Sequence, residues 1–261
     1  MGGGQELTPK FHVELIEKNK AHYYRVNNQD ILYPGVTTIL SIISKPFLIP
    51  WAAKEAANKI KEYLKANAVN RPLSIEEIDD LVEAGRKQHV VKKDQAADIG
   101  TRAHKAIDNI IATGDITAVV DKDVIPCVEA FLEWRANAKI DIRFGDTKIA
   151  NMNFGYGGSL DCLGFDKNGN PVLIDFKTSN RISEEYAYQV AAYKYAFLDT
   201  YGVLPMKAII LRLGKTKPEF EVKEVKDTHI RFGAFLNAKN LYDDMKEEKF
   251  AEIPSPEAAA A

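Results

Sequence analysis

Cysteine is nearly absent: Cys127 and Cys162 are the only two in 261 residues. Two scattered thiols cannot build an all-cysteine zinc site, nor hold an iron–sulfur cluster alone. They fit a reducing compartment, the cytoplasm, better than a disulfide scaffold. No apolar run is long enough to span a membrane. No glycine-rich phosphate loop ending in Gly-Lys occurs, which excludes a built-in ATPase motor of that kind. A basic excess is missing too. The formal net charge is −2, so the chain lacks the balance common among nucleic-acid binders. The ends carry little information: Met1 to Gln5 is glycine-rich rather than signal-like, and residues 251–261 read as a flexible tail.

What is present is enough apolar residue, 46%, for a large core. Residues 11–17 and 21–26 alternate apolar and polar around Asn19 and Lys20, the pattern of a β-hairpin. Val36 to Ile43 and Pro50 to Leu64 read as helices. Ser74 with Glu77 forms a capping-box signature before a helix expected to end near Val90. Asp94 to Ala112 reads as the next helix, with Ala103, Ile107, Ile110 and Ile111 on one face and Gly114 as its stop. Asp121 to Lys139 is a further helix. The period then changes. Residues 141–152, 156–166 and 171–178 read as strands, 183–201 as helix, 206–213 and 219–226 as strands, and 228–247 as a last helix. No internal repeat is evident. The order predicts an α/β or α+β fold with a mixed central sheet flanked by helices.

The most informative stretch is Gly157, Gly158, Ser159, Leu160 and Asp161, followed by Val172 to Ser179. Alternation puts Val172, Ile174 and Phe176 on one face of a strand, and Leu173, Asp175 and Lys177 on the other. Two charges on an otherwise apolar central strand are costly unless paired or bound to a metal. The turn decides what joins them. A two-residue Asn168-Gly169 turn sets Asp161 opposite Phe176. A three-residue loop, Lys167-Asn168-Gly169 with Gly169 left-handed, sets Asp161 opposite Asp175. In that register two carboxylates and a lysine converge. Read alone, Asp175 and Lys177 are equally an exposed charge pair.

Four motifs in order resemble the RecB-like branch of the PD-(D/E)XK nuclease superfamily. They are Gly100 with His104, Gly158 with Asp161, Ile174-Asp175-Phe176-Lys177-Thr178-Ser179, and Gln189 with Tyr193. Pro34 to Leu40 and Pro50-Trp51 are similar to phage-encoded members. The resemblance implies a restriction-endonuclease-like α/β fold with a helical N-terminal elaboration. It divides the chain into a hairpin and helical elaboration at 1–93, a nuclease core at 94–250 and the tail. It implies an Mg²⁺- or Mn²⁺-dependent deoxyribonuclease. Asp161, Asp175, the Phe176 carbonyl and His104 are the implied metal ligands. Lys177 is implied beside the attacking water, and Gln189 and Tyr193 line the catalytic site and touch DNA. Arg102, Thr178 and Ser179 are expected phosphate contacts. Arg86, Lys87, Lys92, Lys93 and Lys105 are expected to add a basic lining.

One position departs from the family pattern: Asp146 stands where the family often has Glu, and it is not counted as a ligand. The iron–sulfur cysteines of some relatives are missing. The leading expectation is a DNA exonuclease of replication, recombination or repair, with DNA and recombination or replication proteins as partners. The alternatives are a structure-selective endonuclease and a non-catalytic DNA-binding module. Local charge neutralisation by metal meets the objection raised by the acidic balance.

Overall fold

The structure is a computed structural model and describes residues 7–19, 21–67, 71–117, 119 and 121–247. Lys20 of the first turn and the two expected tails lie outside them.

The first hairpin forms as its alternation predicts, from β1 (Val13–Lys18) and β2 (Ala21–Val26). A short β3 (Leu32–Pro34), too brief to carry a period, completes a three-stranded sheet. α1 (Val36–Leu40) and α2 (Leu48–Asn67) follow, with Pro50 in the first turn of α2, where its missing N–H costs nothing. The two helices expected on either side of residues 90–94 are one helix, α3 (Ile75–Thr113), of 39 residues. Its ends are as expected, with a complete Ser74–Glu77 capping box and a left-handed Gly114. The charged stretch between them contains no proline or glycine until Gly100, so nothing breaks the backbone ladder. The two apolar faces belong to different partners. Gly85 lies against Ile60 of α2, while Ala103, Ile107 and Ile110 pack in the core beside α4 (Ile125–Asn137). α3 therefore runs unbroken through residue 94, where the sequence places the start of the core.

The central sheet has the order β4-β5-β6-β7-β8, with ranges Asp141–Asn151, Tyr156–Phe165, Pro171–Lys177, Lys207–Leu213 and Phe220–Glu224. Only β6 and β7 are parallel, joined by α5 (Glu185–Tyr201) as the crossover. α5 and α6 (Thr228–Asp244) cover one face through Leu173, Val190, Ala191, Phe197, Ile210 and Phe235. α3 and α4 cover the other through Ile107, Phe131, Val172, Ile174, Phe176 and Leu211. A mixed five-stranded sheet between helical layers is the restriction-endonuclease-like arrangement expected.

The β5–β6 turn closes as the three-residue loop. Asp166 N–H donates to Asn170 O at 3.0 Å, Gly169 N–H to Asp166 O at 2.9 Å, and Gly169 has φ +79°. Cys162 pairs with Ile174, and Leu163 with Leu173. The ladder ends at the first of these pairs, and Asp161, the next residue on β5, reaches β6 through its side chain, whose Oδ2 accepts the Phe176 N–H at 2.7 Å.

Close approach explains Gly157 and Gly158. A Cβ on Gly157 would lie 2.5 Å from the Tyr24 ring, and one on Gly158 2.4 Å from Cε1 of Tyr193. Gly158→Ala is therefore expected to cost about 1–3 kcal/mol through overpacking. Gly233, helical in α6 with open space where a Cβ would stand, gives the opposite result: Gly233→Ala is expected to stabilise by about 0.5–1 kcal/mol. Urea unfolding of both variants checks the pair, and equal effects would contradict the packing described.

Candidate functional site

The site forms where the β5–β6 ladder stops. Leu160 packs in the core under α5 and Cys162 in the core under α3 and α4, so the strand changes face around Asp161. Asp161 Oδ2 accepts the Phe176 N–H at 2.7 Å, and its Oδ1 lies 3.2 Å from Nδ1 of His104. His104 is one turn beyond Gly100 on α3. Gly100 is glycine for contact reasons: a Cβ there would meet Thr178 Oγ1 at 3.0 Å. The helix can thus approach the end of β6 and bring His104 edge-on to Phe176, with ring centroids 5.9 Å apart.

Asp175 is 1% exposed. Its Oδ2 meets the Lys177 ammonium, and its Oδ1 has no hydrogen-bond partner among the described residues. Lys177 lies 5.0 Å over the ring of Tyr186 at the start of α5. The charge pair is therefore buried, and the exposed-pair alternative is set aside. Gln189 and Tyr193 share one face of α5, as their i, i+4 spacing requires, and Gln189 Nε2 donates to Tyr193 Oη at 2.9 Å. Tyr193 covers Gly158, three residues before Asp161 on the same strand.

Electrostatics separates the two carboxylates. Burial pushes Asp175 up to about 6, with Lys177 opposing and Asp161 reinforcing the shift. Burial would also raise Asp161, but His104, Lys177 and the Phe176 N–H outweigh it and hold that carboxyl below its ordinary value. Burial opposes the charge on His104, yet Asp161 prevails and its pKa is raised.

Other expected residues stand elsewhere or have other partners. Arg102 is on α3 two residues before His104, which turns it to the other side of the helix. Its guanidinium is held by Asp98, Asp121 and Asp123. Arg86 and Lys87 pair with Glu83, and Lys92 with Glu55. Lys93 and Lys105 are exposed. Thr178 touches Gly100, and Ser179 Oγ donates to Arg181 O at 2.7 Å. Asp146, with φ +31°, is exposed and pairs with Lys148.

Three neighbours went unread in the sequence. Asp108 lies one turn after His104 against Gly145, and burial first, then Asp146 and Asp161, push it up to about 6. The i+4 spacing from His104 was the available signal. Tyr24 of the N-terminal hairpin bonds Ser159 Oγ at 3.1 Å, and burial pushes its hydroxyl up to about 12. Tyr186 supplies the ring beneath Lys177. Neither tyrosine stands in a motif.

The donor set can be tested against a divalent ion. Two carboxylates, one with an orphaned buried oxygen, and an imidazole are hard to borderline donors suited to Mg²⁺ or Mn²⁺. No group of three His, Cys, Asp or Glu side chains is gathered around a common ion position among the described residues. Asp175 instead has Lys177 as its countercharge. The residues fit such an ion by donor chemistry.

A mixed sheet between helical layers, with an acidic pair and a lysine at the open end of its central hairpin, defines a class of metal-dependent nucleases. The family model of the PD-(D/E)XK nuclease superfamily matches residues 122–259, more than half of the chain. The chain belongs to that superfamily, whose members act on DNA and depend on divalent metal. The match begins after Gly100 and His104. No curated protein matches the sequence. One solved structure, titled "Crystal structure of SSO0001", is 12% identical, covering 77% of this chain and 87% of its own, with a TM-score of 0.31. No feature of the site rests on that distant likeness.

The raised groups set a pH profile for the metal-free protein. Asp175 holds its proton more tightly when folded. Its contribution is fully present below its ordinary 3.8 and lost as pH rises through about 6. Asp108 acts in the same window and sense. His104, raised above 6.5, adds a loss of the same sign above that value. Asp161, lowered, has the opposite sign: its contribution is fully present above the ordinary carboxylate value and is lost only as pH falls below it. The melting temperature in EDTA is expected to fall between about pH 5 and pH 8. Asp175→Asn should remove part of the fall near pH 6, and an identical slope in that variant would contradict the assignment.

Proposed function

We propose that this nuclease is a DNA exonuclease of the RecB-like branch without an iron–sulfur cluster, acting in replication, recombination or repair. The observation that carries the catalytic part is Asp175, fully buried, with one orphaned oxygen and Lys177 against the other, beside Asp161 at the open end of a hairpin. A fold with no chemistry to perform gains nothing from burying that pair, which speaks against a purely DNA-binding module.

Asp161, Asp175, the Phe176 carbonyl and His104 would hold Mg²⁺ or Mn²⁺. When bound, the ion supplies Lewis acidity toward water and phosphate oxygen. Lys177 orients the attacking water and offsets charge developing on the phosphate. Its position over Tyr186, between Asp175 and the start of α5, limits where the ammonium can go. Asp161 fixes Phe176 by accepting its N–H, and so sets the end of β6. Gln189 and Tyr193 contact the strand from the α5 side, and Thr178 and Ser179 are its phosphate contacts. Arg102, engaged with three carboxylates, receives no support from its geometry for that role.

Two experiments test this. End-labelled linear DNA, single- and double-stranded, is incubated with Mg²⁺ or Mn²⁺ beside a circular control. Loss of label from linear DNA alone is expected; cutting of the circle makes the enzyme an endonuclease, and no cleavage leaves a binding module. In the same assay Asp175→Asn and Lys177→Ala should each lose about 10²-fold or more. Lys177→Ala should retain calorimetric metal binding. His104→Ala should be milder, with a larger effect in Mn²⁺ than in Mg²⁺. Cleavage by Asp175→Asn at the unmodified rate would end the mechanism.

A further inference from the structure

Sheet register extends the site sideways. Asp175 pairs with Ile210 on β7, and Ile210 pairs with Lys223 on β8. Residues paired across neighbouring strands point to the same face, so the three form one row on the side covered by α5. Two strand spacings separate the ends of the row, about 10 Å. At its far end is a cleft of about 340 Å³ between the start of α5, the end of β8 and the start of α6. Ser183, Ile210, Lys223, Lys226 and Arg231 line it.

The charges there are unlike those of the chain as a whole, which is net acidic. Lys226 and Arg231 are exposed and enter no ion pair among the described residues. Lys223 shares a carboxylate at 3.2 Å with Glu221, an exposed pair worth little. Glu184 and Glu224 also border the cleft, leaving three lysine and arginine side chains against two lining carboxylates. Beside them stands Lys194, only 8% exposed, whose hydrogen-bond partner is the neutral Thr228 Oγ1 at 3.2 Å. Burial of this ammonium is costly, and the charge of the nearby Glu224 offsets only part of that cost, so the Lys194 pKa is lowered.

We propose that this cleft is a second phosphate subsite, holding a backbone phosphate of the nucleic-acid strand whose scissile phosphate lies at Asp175 and Lys177. The inference rests on the nuclease reading and adds the path of the strand: from Lys177 across the 178–184 segment and the first turn of α5 to Lys223, Lys226 and Arg231. It gives the enzyme a hold on the strand independent of the metal ligands.

The test is the full-length Lys226→Glu/Arg231→Glu variant, both positions being exposed and outside the catalytic cluster. The substrates are a labelled oligothymidylate and a thymidine trinucleotide too short to span both positions. The variant should raise KM for the long substrate about 10-fold or more at moderate salt. It should lower the slope of log affinity against log salt by about 1.4, two contacts at roughly 0.7 each for a single strand. Cleavage of the trinucleotide should be unchanged. Equal KM and equal slope for the two proteins would remove the subsite and leave the nuclease reading standing. If the unmodified protein cleaves nothing, fluorescence anisotropy with the same oligothymidylate decides: binding lost in the variant keeps the subsite, and equal binding, or none by either protein, removes it. Calorimetry with inorganic phosphate separates the sources. Phosphate bound as tightly as the oligothymidylate would overturn the strand assignment in favour of a free anion.

Discussion

Gly169 closes the β5–β6 turn in three residues rather than two, and the geometry of the site follows from that choice. A left-handed residue at this position is inexpensive for glycine and strained for most others. The loop it permits sets Cys162 against Ile174, and Asp161, the next residue, reaches the Phe176 N–H beside Asp175. A slip of one residue would turn β5 over relative to β6, leaving Asp175 and Lys177 without Asp161 beside them. The turn lies at the far end of the hairpin from the chemistry, yet it fixes which side chains meet there.

The second constraint is the cost of the charges themselves. Val172, Ile174 and Phe176 anchor β6 in one core, and Leu173 anchors it in the other. Between these apolar contacts the strand holds Asp175 almost out of reach of water. Lys177, Asp161, His104 and the Phe176 N–H form a network in which each charge limits the cost of another. The two carboxylates are driven in opposite directions, Asp175 toward its proton and Asp161 away from it, because burial outweighs Lys177 at the first while His104, Lys177 and the Phe176 N–H outweigh burial at the second. Tyr24 and Tyr193 close over Gly157 and Gly158 from two sides, so the N-terminal hairpin and α5 both press on the strand that carries Asp161.

Much of this was legible in the sequence. Period-2 and period-3.6 patterns located the long strands and helices, and the capping box and Gly114 located both ends of α3. The hairpin register followed from the choice between two turn types. What was hidden depended on tertiary partners. The middle of α3 reads as a charged boundary because its two apolar faces serve different neighbours. Arg102 reads as a phosphate contact until Asp121 and Asp123, about twenty residues on, fold back onto it. Asp108 carries no motif, and it joins the site because it stands one turn after His104 on α3, against Gly145. Tyr24 is an ordinary strand residue until its hairpin docks on Gly157.

The unbroken α3 has a mechanical meaning. Its 39 residues make a rod of about 58 Å at 1.5 Å per residue. One part is clasped by α2 and another is seated in the core with His104 on its flank. Between Gly85 and Gly100 no proline or glycine offers a hinge. From Leu81 to His104 the lever arm is about 35 Å, so tilting the seated part by a few degrees sweeps the outer part through several ångströms, and a load on the outer part returns as torque at the imidazole. The α2–α3 arm is thus a handle on the position of one nitrogen atom.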